Sequence, residues 1–173
     1  IMPPPMAHAR IQHVYDCDED TFWRQVMFDE AFNSRLYLEH LRFDEWKILS
    51  LDDTEAALVR EISVKPVTGE LPAPLKKLIG DNFGYREVGR FDKKTRRYSF
   101  EIFPNTLQGK LHIRGHIQVA PRGESRCERT LELDVEAKVF GVGGMIEKRI
   151  IGDTRESFDK GHRFAQRELF GNS

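Results

Sequence analysis

Apolar and polar positions alternate through the middle of the chain and recur every three or four residues toward its end. The first period is that of half-buried strands and the second that of an amphipathic helix. Near-alternation over residues 10–15 predicts an opening strand. Asp16-Cys17-Asp18 breaks it, and Asp18 is a suitable N-cap. Apolar stripes of Phe22, Val26 and Met27, then Phe32, Leu36 and Leu41, predict two short helices over residues 19–28 and 30–41. Strands come next, at residues 43–49, 55–65, 83–91, 96–103, 110–120 and 127–139. Turns are expected at residues 51–54, 92–94, 104–105 and 121–123, where Asp, Pro, Gly and Asn collect. Residues 71–79 form an amphipathic turn or short helix, stopped by Gly80. After Gly141-Val142-Gly143-Gly144, residues 145–170 carry Ile146, Ile150, Thr154, Phe158, Gly161, Ala165 and Leu169 on one stripe of a long helix.

Strands that succeed one another through short turns make an antiparallel meander. The long helix must bury its stripe, and a curved antiparallel sheet with one wet and one covered face is the available partner. The expected fold class is α+β. Lys110, His112, Arg114, His116 and Gln118 share one strand face, with Leu111, Ile113, Ile117 and Val119 on the other. In the next strand Glu132, Asp134 and Glu136 oppose Leu131, Leu133, Val135 and Ala137. A basic outer face thus lies beside an acidic one, an arrangement that stabilises by roughly 0.2–1 kcal/mol per cross-strand pair.

Composition narrows the function classes. The chain has 173 residues, 27 basic and 28 acidic side chains, a net charge of −1 and 39% hydrophobic residues. That length and apolar content suit one domain with a core of its own, without disulfide or metal staples. Near-neutrality argues against a binder of nucleic acid. No apolar run approaches the roughly 20 residues of a membrane-spanning helix, although transient contact with a membrane surface is compatible with the sequence. The proline-rich start lacks the features of an export signal. Residues 1–8 therefore read as a disordered leader, 9–170 as the domain and 171–173 as a tail, in a cytoplasmic protein whose Cys17 and Cys127 stay reduced. The sequence sets no oligomeric state.

The order of elements resembles the START-like superfamily, also called Bet v 1-like or helix-grip. Three segments carry the resemblance: Tyr15-Asp16-Cys17-Asp18-Glu19-Asp20-Thr21-Phe22-Trp23, Leu71-Pro72-Ala73-Pro74-Leu75, and Gly141-Val142-Gly143-Gly144-Met145-Ile146-Glu147-Lys148. The chain looks most like a member whose own family has no assigned function. The resemblance implies a seven-stranded sheet wrapped around the C-terminal helix, with a cavity between them. Members bind lipids, sterols, polyketides or plant hormones, and some are cyclases, dehydratases or chaperone cofactors. Fold alone does not choose among these.

Strand alternation points Tyr98, Phe100, Ile102, Ile113, Ile117, Leu133 and Val135 inward, with Phe83 and Tyr85 on the same side. Phe158 faces them from the helix, and Gly161 leaves room there. These residues either line a ligand cavity or pack as ordinary core. Arg60 shares a buried face with Leu58, Ile62 and Val64. A buried guanidinium needs a partner: either an anionic ligand group or a protein carboxylate such as that of Glu87. His13, between Ile11 and Tyr15, is either hydrogen-bonded core or a catalytic group. Leu75, Ile79, Gly143 and Gly144 are candidates for a gate at the cavity mouth, glycines being suited to hinges. His112 and His116 lie about 13 Å apart along a strand and share no metal. No zinc, nucleophile or dinucleotide motif is present, and no cofactor is implied.

The leading expectation is a binding module for a hydrophobic, lipid-like small molecule, with a cavity above about 300 Å³ as its requirement. The rival is a cyclase- or dehydratase-type enzyme. It needs at least two of Arg60, His13, Tyr85 and Tyr98 to converge within about 4 Å in the pocket. A protein-interaction or chaperone-cofactor role instead needs a filled core and an exposed apolar patch.

Overall fold

Ala7–Tyr15 (β1), Glu45–Asp53 (β2), Ala57–Lys65 (β3), Tyr85–Asp92 (β4), Arg97–Pro104 (β5), Leu111–Pro121 (β6) and Cys127–Ala137 (β7) pair into one antiparallel sheet. Its order is β1-β7-β6-β5-β4-β3-β2, and the computed structural model describes residues 6–171. Glu19–Thr21 (α1) runs into a π-helical turn, Phe22–Met27, and Glu30–Ser34 (α2) into a second, Arg35–His40. Ala73–Ile79 (α3) lies between β3 and β4, and Gly143–Phe170 (α4) closes the chain. This is the helix-grip arrangement.

The local chemistry explains the element ends. The Asp18 carboxylate accepts from the Thr21 backbone N–H at 2.8 Å, and that of Asp29 from Phe32 at 2.7 Å. Both cap donors that the first turn of a helix leaves unpaired. Gly171, at φ 67°, ends α4 in the left-handed conformation that a glycine C-cap favours.

Several boundaries differ from expectation. β1 begins at Ala7, inside the expected leader, because His8 is held by Glu132 at 2.5 Å and Asp134 at 2.7 Å. Residues 1–5 and 172–173, which carry most of the leader and tail, lie outside the described residues. β2 runs on to Asp53 through a register shift between Ile48 and Ser50, so residues 51–53 are strand and Thr54 makes the turn. A bulge reverses the inward and outward sense of the residues beyond it, which hides the continuing strand from a strict alternation test. β7 ends at Ala137, whose N–H is taken by the Glu147 carboxylate at 2.9 Å, and α4 starts earlier, at Gly143.

The charged outer face forms as expected. His112 pairs with Glu136, Arg114 with Asp134 and His116 with Glu132 across β6 and β7. α4 crosses the opposite face, with its strand contacts on β1 and β7. Its Ile146 and Ala165 are fully buried. Phe164, off the expected stripe, is also buried, stacked on His40 and tilted against Phe32. Among the described residues no helix is long and apolar enough to cross a membrane.

Candidate functional site

The inner face of the sheet is built around aromatic side chains laid over glycines. A Cβ on Gly89 would sit 1.8 Å from the Tyr98 hydroxyl, and one on Gly115 2.7 Å from the Phe100 ring. The missing side chains on β4 and β6 therefore let Tyr98 and Phe100 of β5 lie down across their neighbours. This flattening carries the Tyr98 hydroxyl to the Glu87 carboxylate, to which it donates at 2.7 Å.

Arg60 meets the same pair. It is 5% exposed. Its guanidinium lies 3.7 Å from Glu87, donates to the Tyr98 hydroxyl at 3.5 Å and to the Met27 carbonyl at 3.4 Å, and stacks over the Phe28 ring. The Glu87 ion pair foreseen as one of two alternatives is thus formed. Burial and the Glu87 charge push the Tyr98 hydroxyl up, and burial takes Tyr85 well above its ordinary value and Tyr37 to about 12. All three phenols are neutral near pH 7.

A cavity of about 220 Å³ lies between this face, the π-helical turns and α4. Of the residues singled out from the sequence, Arg60, Phe83, Tyr85, Tyr98, Phe100, Ile102, Ile113, Ile117, Leu133, Phe158 and Gly161 line it. Val135 does not; it is fully buried in the core. The volume falls below the required 300 Å³ or so. Part of the wall is one that the sequence did not reveal: Phe22, Val26 and Met27 from the first π-helical turn, and Leu36 and Tyr37 from the second, also line the cavity. π-helical turns are uncommon and recur at functional sites, but their apolar spacing is read as ordinary helix.

The expected gate residues are not in the lining. Leu75 is fully buried core, Ile79 packs against that core, Gly143 lies against the Ala137 carbonyl and Gly144 has open space beside it. Pro66, Val67 and Thr68 after β3, and Ile150, Asp153 and Thr154 of α4, border the cavity instead. Arg149 ties these two borders together, donating to the carbonyls of Thr68 and Glu70 and to Asp153.

A second buried guanidinium, not singled out from the sequence, belongs to Arg129. It is 6% exposed and lines the same cavity. It lies over the rings of Phe158 at 4.5 Å and Tyr15 at 5.2 Å, and donates to His13 Nδ1 at 2.5 Å. With Nδ1 accepting, His13 carries its proton on Nε2 and donates to Asp159 at 2.7 Å. Burial and the Arg129 charge lower the His13 pKa to about 4, so the imidazole is neutral near pH 7. Of the two readings open for His13, the structure shows a hydrogen-bonded one, stacked on His162. The signal for Arg129 was present: it alternates in phase with Leu131, Leu133 and Val135 on β7.

Cys17 and Cys127 are both buried free thiols, brought together by the pairing of β1 with β7. The hydrogen bond between them pushes Cys17 up and Cys127 down. Among the described residues no cluster of three metal-ligating side chains occurs.

Comparison with known proteins supports this fold. The chain is 12% identical to the Zhui aromatase/cyclase from Streptomyces sp. R1128, with a TM-score of 0.65 over 95% of this chain and 96% of that one. It is 16% identical to norcoclaurine synthase from Thalictrum flavum, solved with dopamine and hydroxybenzaldehyde, with a TM-score of 0.61 over 94% and 89% of the two chains. A START superfamily protein from Mycobacterium smegmatis is 14% identical, with a TM-score of 0.56 over 89% and 92%. At these identities the likeness is one of fold. No curated protein matches the chain. The profile of one family covers residues 10–169, and the chain belongs to that family, DUF2505, described as a protein of unknown function.

Proposed function

We propose that the chain binds a compact, mainly apolar small molecule in the cavity between sheet and α4. The observation that carries this is a cavity that stays open in an otherwise close-packed interior, walled by aromatic and aliphatic side chains and holding a few fixed polar groups. That lining is the usual character of a small-molecule site, here at a volume below the usual range of about 300 Å³ and more. Transferring apolar ligand surface out of water contributes roughly 25 cal/mol per Å², so such a site needs few polar contacts. A long acyl chain asks for more room than about 220 Å³, which favours a compact hydrophobic ligand over an extended lipid. The retained cavity also weighs against an interaction module with a filled core.

Native mass spectrometry of protein purified from its own host tests the proposal. A small molecule that co-purifies and is released on denaturation is the expected result. Bare protein that also fails to bind a panel of compact aromatic and alicyclic compounds overturns it.

One observation favours the enzymatic alternative: Arg60 and Tyr98 do converge in the cavity, 3.5 Å apart, with Glu87 beside both. A cyclase or dehydratase acting on a polyketide could use such a group of polar residues. General acid–base work favours pKa values near the operating pH, whereas Tyr98 is driven up and His13 down to about 4. Those directions suit fixed hydrogen bonds, and binding is the better supported reading.

A further inference from the structure

The two carboxylates that line the cavity are both matched by cations: Glu87 by Arg60, and Asp153 by Arg149 at 3.0 Å. Arg129 is not. Among the described residues no carboxylate lies within ion-pairing distance of its guanidinium, whose polar partner is the neutral His13 ring. Its Nε, buried, has no hydrogen-bond partner; Arg60 Nε shares that state, so what sets Arg129 apart is the missing carboxylate. The nearest negative charge in the chain of hydrogen bonds is that of Asp159, one residue removed, on the far side of the imidazole.

A buried cation without an anion is costly, and a buried donor left unmade adds to that cost. Two features here fix the guanidinium rather than relieve it. The Phe158 and Tyr15 rings hold its plane, and His13, oriented by Asp159, holds one terminal nitrogen. The result is a preorganised donor facing the cavity with its charge unmatched. A planar carboxylate is the group whose two oxygens match such a fork.

We propose that Arg129 is the anion-binding point of the cavity, and that the ligand class is a compact apolar acid, with the acidic group on Arg129 and the hydrophobic body against Ile117, Leu131 and Phe158. This rests on the ligand-binding reading above and adds the chemistry of the ligand. Arg60, already neutralised by Glu87, is not the anchor.

The test compares naphthalenecarboxylic acid with the matching carboxamide, which has the same shape and no charge. Wild-type protein is expected to bind the acid about tenfold or more tightly than the amide, the scale of a hydrogen bond to a charged group. Arg129→Met should abolish the difference and leave amide binding in place. In wild-type protein, acid binding should also raise the pKa of His13, read from its ring proton shifts, because a negative charge arrives beside it; amide binding should not. That second readout stands if the variant fails to fold. Equal affinity for acid and amide in wild type overturns the inference and leaves the ligand-binding reading intact. An acid preference that survives Arg129→Met, or a His13 pKa that the acid does not move, overturns the assignment to Arg129. Failure of both probes to bind counts against the ligand-binding reading itself.

Discussion

The Tyr98 hydroxyl occupies the space where a side chain on Gly89 would begin, 1.8 Å from the position of a Cβ there. The ring of a β5 residue thus lies flat across β4 and delivers its hydroxyl to Glu87 and Arg60. Gly89→Ala cannot be accommodated without lifting Tyr98. The expected cost is about 1–3 kcal/mol, as for other overpacked interiors, measured by denaturant unfolding. Tyr98→Phe in the same background should then cost little more, since the hydroxyl has already left its partners. Full additivity of the two changes would show that Tyr98 was not displaced.

Glu87→Ala leaves the Arg60 charge buried and alone, and should cost about 3–5 kcal/mol. The double replacement Arg60→Met with Glu87→Met should recover most of that loss, because removing both members of a buried pair is far less damaging than removing one. If Arg60→Met alone leaves stability untouched while ligand affinity collapses, Arg60 and not Arg129 is the anchor.

His13 titrates at about 4 in the fold, against 6.5 for an ordinary histidine. Below about pH 6.5 the unfolded chain takes up the proton first. Stability contributed by the neutral ring is therefore full above that pH and declines as the pH falls toward 4. His13→Asn should flatten this part of the stability profile. His162, also lowered by burial, leaves a residual slope of the same sign. An unchanged profile in the variant would show that His13 is not the group responsible.

Cys17 and Cys127 are buried, and Cys17 is further protected by its raised pKa. Thiolate is the reactive form. Neither residue should react with iodoacetamide in the native protein over times that fully label the urea-unfolded chain. Rapid native labelling of either would show that β1 and β7 part locally.

Much of this architecture is legible in the sequence, because the two periodicities are strong where the sheet and α4 have one wet side. The alternation of β7 is unbroken from Cys127 to Ala137, and the lining contributed by β5 and β6 shows the same alternation. The features that stayed hidden have physical causes. Arg129 obeys the alternation, as Arg60 does, but it precedes the apolar run of Leu131, Leu133 and Val135 that marks the inner face of β7. The π-helical turns bury their residues at spacings close to those of an α-helix, so the wall that limits the cavity gives no separate signal. The bulge in β2 reverses a pattern whose phase is all that marks it. The cavity border formed by Pro66–Thr68 and α4 depends on where Arg149 reaches across the fold, which no local pattern encodes.

Methyl-resolved NMR during titration with naphthalenecarboxylic acid addresses the cavity most directly. Saturable one-to-one shifts of the Ile113, Ile117 and Leu133 methyls are expected, lost when Ile102→Phe fills the space beside them. Shifts confined to exposed methyls such as those of Leu49 and Leu51, or persisting unchanged in Ile102→Phe, would place binding outside the interior and contradict a ligand site between sheet and helix.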